Sequence, residues 1–260
     1  MGQLVWLRLR MDFHKDKIMR YFVFIIAIFI VTLIGCHKED IGPGLKEYHD
    51  DFERYTTWEE LVDSLGGDRW TEFNINEINT SANPISLDTV IFHSGRQSVR
   101  FEASQNDPGF VEVAKCNLNK NGFYFPHGET LKYSSWFYLE RAANDYGTFF
   151  VFDLGEVVGG TSEIRIMAWE ENLELERNKL GLPNLFQEQP AKLFPVNQWC
   201  HIELEVKLSQ YRYGAVKMWL DGEEIINDDN IITMPKDRGT LVWGTKGYYE
   251  RIQVGITAKS

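Results

Sequence analysis

Short runs in which apolar and polar residues alternate strictly, from about residue 97 to residue 258, constrain this chain more than any other feature. Gln97–Ser104 sets Val99, Phe101 and Ala103 against Ser98, Arg100 and Glu102. Thr130–Arg141 turns Leu131, Tyr133, Phe137 and Leu139 one way and Lys132, Ser134, Trp136 and Tyr138 the other. In Ser162–Trp169 the inward set is Ile164, Ile166 and Ala168, the outward set Arg165, Met167 and Trp169. Gly147–Leu154, Gln198–Leu208, Ala215–Leu220 and Tyr248–Ala258 continue the pattern. Successive side chains of a strand point to opposite faces, so a period of two means half-buried strands. About ten such strands predict an all-β chain of two antiparallel sheets packed face to face. Helix is expected only at Thr57–Leu65, where Thr57 and Glu60 form a capping box and Gly66-Gly67 a stop, and at Asn178–Leu185.

The first 35 residues stand outside this pattern. Lys15, Lys17 and Arg20 precede the apolar run Tyr21–Ile34, and Leu33-Ile34-Gly35-Cys36 closes it. As a helix the run reaches about 21 Å, short of the ~30 Å hydrocarbon core, so it reads as a cleaved secretory signal. The closing tetrapeptide resembles the lipobox of bacterial lipoproteins, which implies lipidation of Cys36 as the first mature residue. Lys38-Glu39-Asp40 resembles the signal that carries some Gram-negative lipoproteins to the cell surface; a solvated charged linker is the other reading. The expected organisation is a signal peptide at 1–35, a lipidated tether at 36–46 and a single domain at 47–260, lipid-anchored in the outer membrane. The whole chain carries −11, and the removed segment is basic, so the mature chain is more acidic still. Nucleic acid is therefore excluded as a partner, because like charge repels it at long range. Cys116 and Cys200 remain in an oxidising compartment, either bonded or as two buried thiols.

Three later segments carry a second resemblance. Asn197-Gln198-Trp199-Cys200-His201-Ile202-Glu203 turns into a strand, Gly214–Ile225 holds a strand, an Asp221-Gly222 turn and a return strand, and Tyr248–Ile256 closes. In this order they resemble the C-terminal half of concanavalin A-like jelly-roll domains, among them LamG-like modules, polysaccharide lyases and glycosidases. His93–Phe101 is similar to their opening strand, and the likeness covers about residues 88–258. It implies a jelly roll and a carbohydrate-related role; the same architecture serves lectins, binding modules and enzymes.

Lyases of this fold use an arginine-rich strand, a Gln-x-His strand and a tyrosine near the last strand. Here Val111–Lys115 has no arginine, and Thr148–Asp153 has neither histidine nor glutamine. The resemblance leaves Tyr248 or Tyr249 as the tyrosine and His127 as a histidine on a loop. Without arginine and base, proton abstraction beside a carboxylate lacks its support. The glycosidases carry Glu-x-Asp-x-Glu, and Glu170-Glu171-Asn172-Leu173-Glu174 keeps the outer acids Glu170 and Glu174 only. Retaining chemistry needs carboxyls ~5–5.5 Å apart, whereas i and i+4 on a flat strand lie ~13 Å apart.

What remains is an outward row of Lys132, Trp136, Tyr138, Arg165 and Trp169. Sugar rings lie on indole and phenol faces while charged groups take their hydroxyls. The expectation is a surface lipoprotein that binds polysaccharide or another glycan across a concave sheet; the alternative is a lyase or hydrolase of the same fold. No cofactor is expected beyond a structural calcium ion, which the resemblance would place at Glu53, Ser94, Gly95 and Glu250; a solvated acidic surface without metal is the other reading.

Overall fold

The computed structural model describes residues 44–75, 85–102, 114–140, 148–155, 162–169, 172–177, 180–234 and 248–259. The proposed signal, Cys36 and the start of the tether lie outside them. Among the described residues there are twelve strands: β1 (Glu72–Ile75), β2 (Ile85–Asp88), β3 (Ser98–Phe101), β4 (Ala114–Pro126), β5 (Thr130–Tyr138), β6 (Phe149–Gly155), β7 (Ser162–Trp169), β8 (Asn172–Glu176), β9 (Trp199–Lys207), β10 (Gly214–Leu220), β11 (Glu223–Ile231) and β12 (Tyr248–Lys259). They form a six-stranded sheet, β1-β4-β12-β6-β7-β8, a four-stranded sheet, β11-β10-β9-β5, and the β2–β3 pair. The pairings between these strands are all antiparallel, as alternation predicts. This is a jelly-roll-type sandwich.

The inward sets meet in one core, with Leu131, Ile202, Leu204, Val206, Val216 and Met218 of the smaller sheet facing Phe152, Leu154, Ile164, Ile166, Leu173 and Leu175 of the larger. A second core under β1 and β4 holds Tyr55, Leu61, Trp70, Ile85, Cys116 and Leu118. It joins the N-terminal segment to the sandwich through Lys120, whose Nζ donates to the carbonyls of Gly67 at 2.8 Å and of Arg69. The β10–β11 hairpin turns through Asp221 (φ 51°) and Gly222 (φ 80°), two successive left-handed residues that suit the twist of the strands. Asp221 also accepts the His201 N–H at 2.8 Å, fastening the turn to β9.

Several expectations need correction. The first helix is only a 3-10 turn, Trp58–Leu61. Val62 is extended because the chain there bridges Trp70, with Asp63 N–H donating to Trp70 O at 2.8 Å, and Leu65 is left 91% exposed. Of the helix expected at Asn178–Leu185, residues 178–179 lie outside the described residues, Leu180 is in a 3-10 turn, and no helix continues over 181–185, where Leu185 bridges Leu175. Strand β6 has no exposed face, being buried over its whole length. Cys116 and Cys200 are not bonded to each other: they sit in different sheets, and burial pushes each thiol up to about 12.

Candidate functional site

The face of the six-stranded sheet turned away from the core carries a polar row that crosses all six strands in register. Glu72, Asn119, Gln253, Asp153, Arg165 and Glu176 are successive cross-strand partners from β1 to β8. Each lies beside core residues of its own strand, so the pleat sends all six to the opposite face. Asn119 Nδ2 donates to Glu72 Oε1 at 2.7 Å, and Gln253 Nε2 donates to Asn119 Oδ1 at 2.6 Å. Arg165 is ion-paired with Glu176, and its guanidinium carbon lies 3.7 Å from the Phe150 ring centroid. Asn119, Gln253, Asp153 and Glu176 are all buried, which makes the row a stiff floor rather than a solvated surface.

Beside this floor lies a more open group. Asn121, Arg251 and Gly155 form the next cross-strand row, and Gly155 contributes no side chain there. Tyr124 and Tyr248, one strand turn further on, meet edge to face at 4.9 Å. Gly122, at φ 93°, lets β4 loop out between the two rows. Burial lowers the affinity of Arg251 for its proton, and the carboxylates of Asp153, Glu72 and Glu250 oppose that shift. Arg251 Nε, Asn121 Oδ1 and both amide atoms of Asn117 are buried without a hydrogen-bond partner. Unpartnered buried polar atoms are rare, and four on one sheet face require a reason. Arg251, Asn121, Tyr124 and Tyr248 together offer a guanidinium, an amide and two phenols to one ligand, while Asn117 lies four residues along β4, beyond the floor row.

The residues expected to form a single row are divided between two sheets. Lys132, Trp136 and Tyr138 lie on β5, on the outer side of the four-stranded sheet, whereas Arg165 lies on β7 in the other sheet. Lys132 is paired with Glu205 directly across from it, at 3.1 Å. Trp136 is 44% exposed, but His93 stacks on it at 3.7 Å and His201 at 4.7 Å. Two parallel rings that close cannot share one face of an indole, so both faces are taken and a sugar is offered only the edge. Tyr138 packs on Trp199 at 5.5 Å. The Trp169 side chain lies outside the described residues.

Of the alternative catalytic residues, Tyr248 stands on the polar face. Tyr249 does not: it is fully buried in the core and donates to Thr233 O at 2.8 Å. His127 is on the turn after β4, its Nδ1 accepting the Gln210 N–H at 3.2 Å and its ring against Tyr211. Glu174 lies on β8, half-buried; burial raises its carboxyl and a hydrogen bond from Asn184 opposes this. Glu170 lies outside the described residues. The expected calcium ligands do converge in part, but Glu53 is already occupied. Its carboxylate accepts Arg96 N–H at 2.8 Å, Arg96 Nε at 3.1 Å and Gln97 N–H at 3.3 Å, so a guanidinium and two amides stand where a cation would. Among the described residues no three acids, histidines or cysteines gather as a metal site.

The arginines of this face, Arg165 and Arg251, stand on β7 and β12. Asn117, Asn119 and Asn121 alternate in sequence and were the available signal, since amides at every second position of a strand mark a polar face.

No family model and no curated protein matches the chain. Its fold is similar to that of an endo-β-1,4-glucuronan lyase from the fungus Trichoderma reesei, at 14% identity over 73% of this chain and 84% of that one, with a TM-score of 0.52. The cellulose induced protein Cip1 matches at 18% identity, 72% and 84% coverage and a TM-score of 0.46. An alginate lyase from Aplysia kurodai matches at 14% identity, 67% and 87% coverage and a TM-score of 0.40. At these identities the likeness is one of fold.

Proposed function

We propose that this chain is a glycan-binding lipoprotein, held at the cell surface by lipid on Cys36, whose site is the polar face of the six-stranded sheet around Asn121, Tyr124, Tyr248 and Arg251. The observation that carries the reading is the coincidence of an aromatic pair with buried, unpartnered Arg251 Nε and Asn121 Oδ1. Sugar hydroxyls supply both the donor and the acceptor these atoms lack, and a ring C–H face suits the phenols. The acidic floor beneath, with Asp153 and Glu72 near Arg251, leaves little net positive charge and suits hydroxyl-rich or weakly acidic chains better than densely charged ones. The sandwich fold shared with a glucuronan lyase supports a carbohydrate role without specifying a reaction.

A cleaving reading uses the same residues, with Tyr248 passing a proton and Arg251 holding a uronate carboxylate. One experiment separates the two. A glycan array identifies a ligand, and incubation with that ligand then reports unsaturated ends by ultraviolet absorbance. Binding without product, weakened about tenfold or more by Arg251→Met, is the expected result. Product formation that Tyr248→Phe abolishes would establish the lyase. Unchanged affinity in folded Arg251→Met and Asn121→Ala variants would remove the site from this face. The anchor is tested separately: Cys36→Ala releases the protein from membranes, and external protease removes the wild type from intact cells.

A further inference from the structure

The four-stranded sheet stops at β5, and a cleft of about 1320 Å³ opens between that strand and the β2–β3 pair. Its floor is the inner face of the larger sheet, with Phe149, Phe152, Ile252 and Val254, and its walls include Leu131, Phe137, Val99 and Phe101. Ligand pockets are typically a few hundred to about a thousand cubic ångströms, so the space accommodates a molecule of lipid size. Two polar groups project into this apolar lining from the inward side of β5. The Tyr133 hydroxyl is buried and makes no hydrogen bond of ordinary geometry; Ser135, two residues on, lies close enough to offset part of the effect of burial on the phenol. The Tyr133 ring is fixed by Phe152 at 4.1 Å, so the hydroxyl cannot swing out to water.

We propose that this cleft is a second binding site, taking a neutral, largely apolar molecule that carries one oxygen acceptor, such as a long-chain alcohol or ester. The oxygen accepts from Tyr133, and the chain lies along the aliphatic and aromatic floor. Neutrality follows from the walls: among the described residues, each of the Lys and Arg side chains lining the cleft already has a carboxylate. Lys46 is paired with Glu129 at 2.8 Å, Lys132 with Glu205 at 3.1 Å and Arg100 with Glu140 at 3.0 Å. An ionised fatty acid would have to break one of these pairs or bury its own charge unpaired, which is costly. The site is separate from the glycan face, since β5 and the inner side of β12 line the cleft while the outer side of β12 forms that face.

The test uses the mature chain with Nile red, a neutral carbonyl-bearing fluorophore, displaced by 1-dodecanol or by dodecanoate. Saturable one-to-one fluorescence is expected, with dodecanol displacing at concentrations at least tenfold below those of dodecanoate. Tyr133→Phe keeps the ring and removes the hydroxyl, so it should weaken dodecanol by about two- to tenfold, the range for one hydrogen bond. The same change should raise the melting temperature of the ligand-free protein, because a buried unpartnered hydroxyl is removed. Filling the cleft from either wall, with Val254→Trp or Val99→Trp, should abolish binding in whichever variant retains the wild-type circular dichroism. Absence of saturable binding to the folded wild type would overturn the proposal, as would full binding in a folded, filled variant. Equal displacement by dodecanoate would overturn the neutral ligand class.

Discussion

Replacing Asn119 by leucine tests whether the polar row is a coupled network or a set of separate contacts. The change removes two side-chain hydrogen bonds, to Glu72 at 2.7 Å and from Gln253 at 2.6 Å. Their costs differ. Glu72 is exposed and recovers its loss from water, whereas Gln253 is 5% exposed and keeps its amide in a dry site. Losing this buried hydrogen bond costs about 1–3 kcal/mol, and the similar volume of leucine adds no large cavity. Gln253→Leu alone leaves Asn119 Oδ1 without its donor, at a similar cost of about 1–2 kcal/mol. In the double variant Asn119→Leu/Gln253→Leu both partners of that bond are apolar, and the combined loss should fall short of the sum by about 1–2 kcal/mol. For a domain of this size 1 kcal/mol moves the melting temperature by about 2–4 °C, so the first single variant should melt about 2–12 °C low. Urea titration of all four proteins, with equal slopes, gives the coupling directly. Additivity within about 0.5 kcal/mol would refute the network, and the stiff floor beneath Arg251 with it.

Three further outcomes follow from particular groups. Cys116 and Cys200, both buried and with thiols pushed up to about 12, should resist a thiol reagent at pH 8 in the native protein and react fully in urea; fast native labelling of either would contradict the packing. The carboxyls of Glu53, Glu60 and Asp88 are held below their ordinary values, chiefly by the backbone N–H groups of Arg96, Thr56 and Ile91 respectively. Because their folded values are depressed, the stability they contribute is fully present above the unfolded values of about 4 and is lost as pH falls through the folded ones. The melting temperature should therefore be insensitive to these groups from pH 7 to about 5.5 and fall below about pH 4; a rise on acidification would reverse the sign. Gly95→Ala should lower stability by more than the ~1 kcal/mol of its left-handed backbone alone, since Gly95 has φ +74° and an added Cβ would stand 2.2 Å from Glu53 Oε1 and push that carboxylate off the Arg96 and Gln97 N–H groups. Gly66→Ala, at φ +84° with open space around it, should cost only about 1 kcal/mol, and equal melting of the two variants would remove the steric part of the argument.

Much of the sandwich was legible because alternation is written locally. The inward sets of β5, β7, β9 and β10 are those the period predicts, and Asp221-Gly222 marks its own hairpin. Local signals failed where distant chain competed for the same backbone. Thr57 and Glu60 do form a cap, yet pairing with Trp70 ends the turn at Leu61 before a helix can form. The candidate site was less legible for the same reason. Tyr248, Arg165 and Glu174 drew notice as individual residues, while Asn117, Asn121 and Arg251 did not, because polar residues on strands are the ordinary mark of a wet face.

By itself, then, the sequence determines which side of each strand is apolar, since that depends only on the two-residue repeat of an extended backbone. It cannot assign a polar side to one sheet or the other. Trp136 and Arg165 carry the same outward signature, and only the strand order places the first on the four-stranded sheet and the second on the six-stranded one. That order is long-range: the last strand, β12, inserts between β4 and β6, more than a hundred residues earlier for β4, and brings Arg251 and Gln253 against Asn121 and Asn119. Such neighbours are selected by the joint burial of two sheets and the closure of long loops, and neither quantity is encoded in any single stretch of chain.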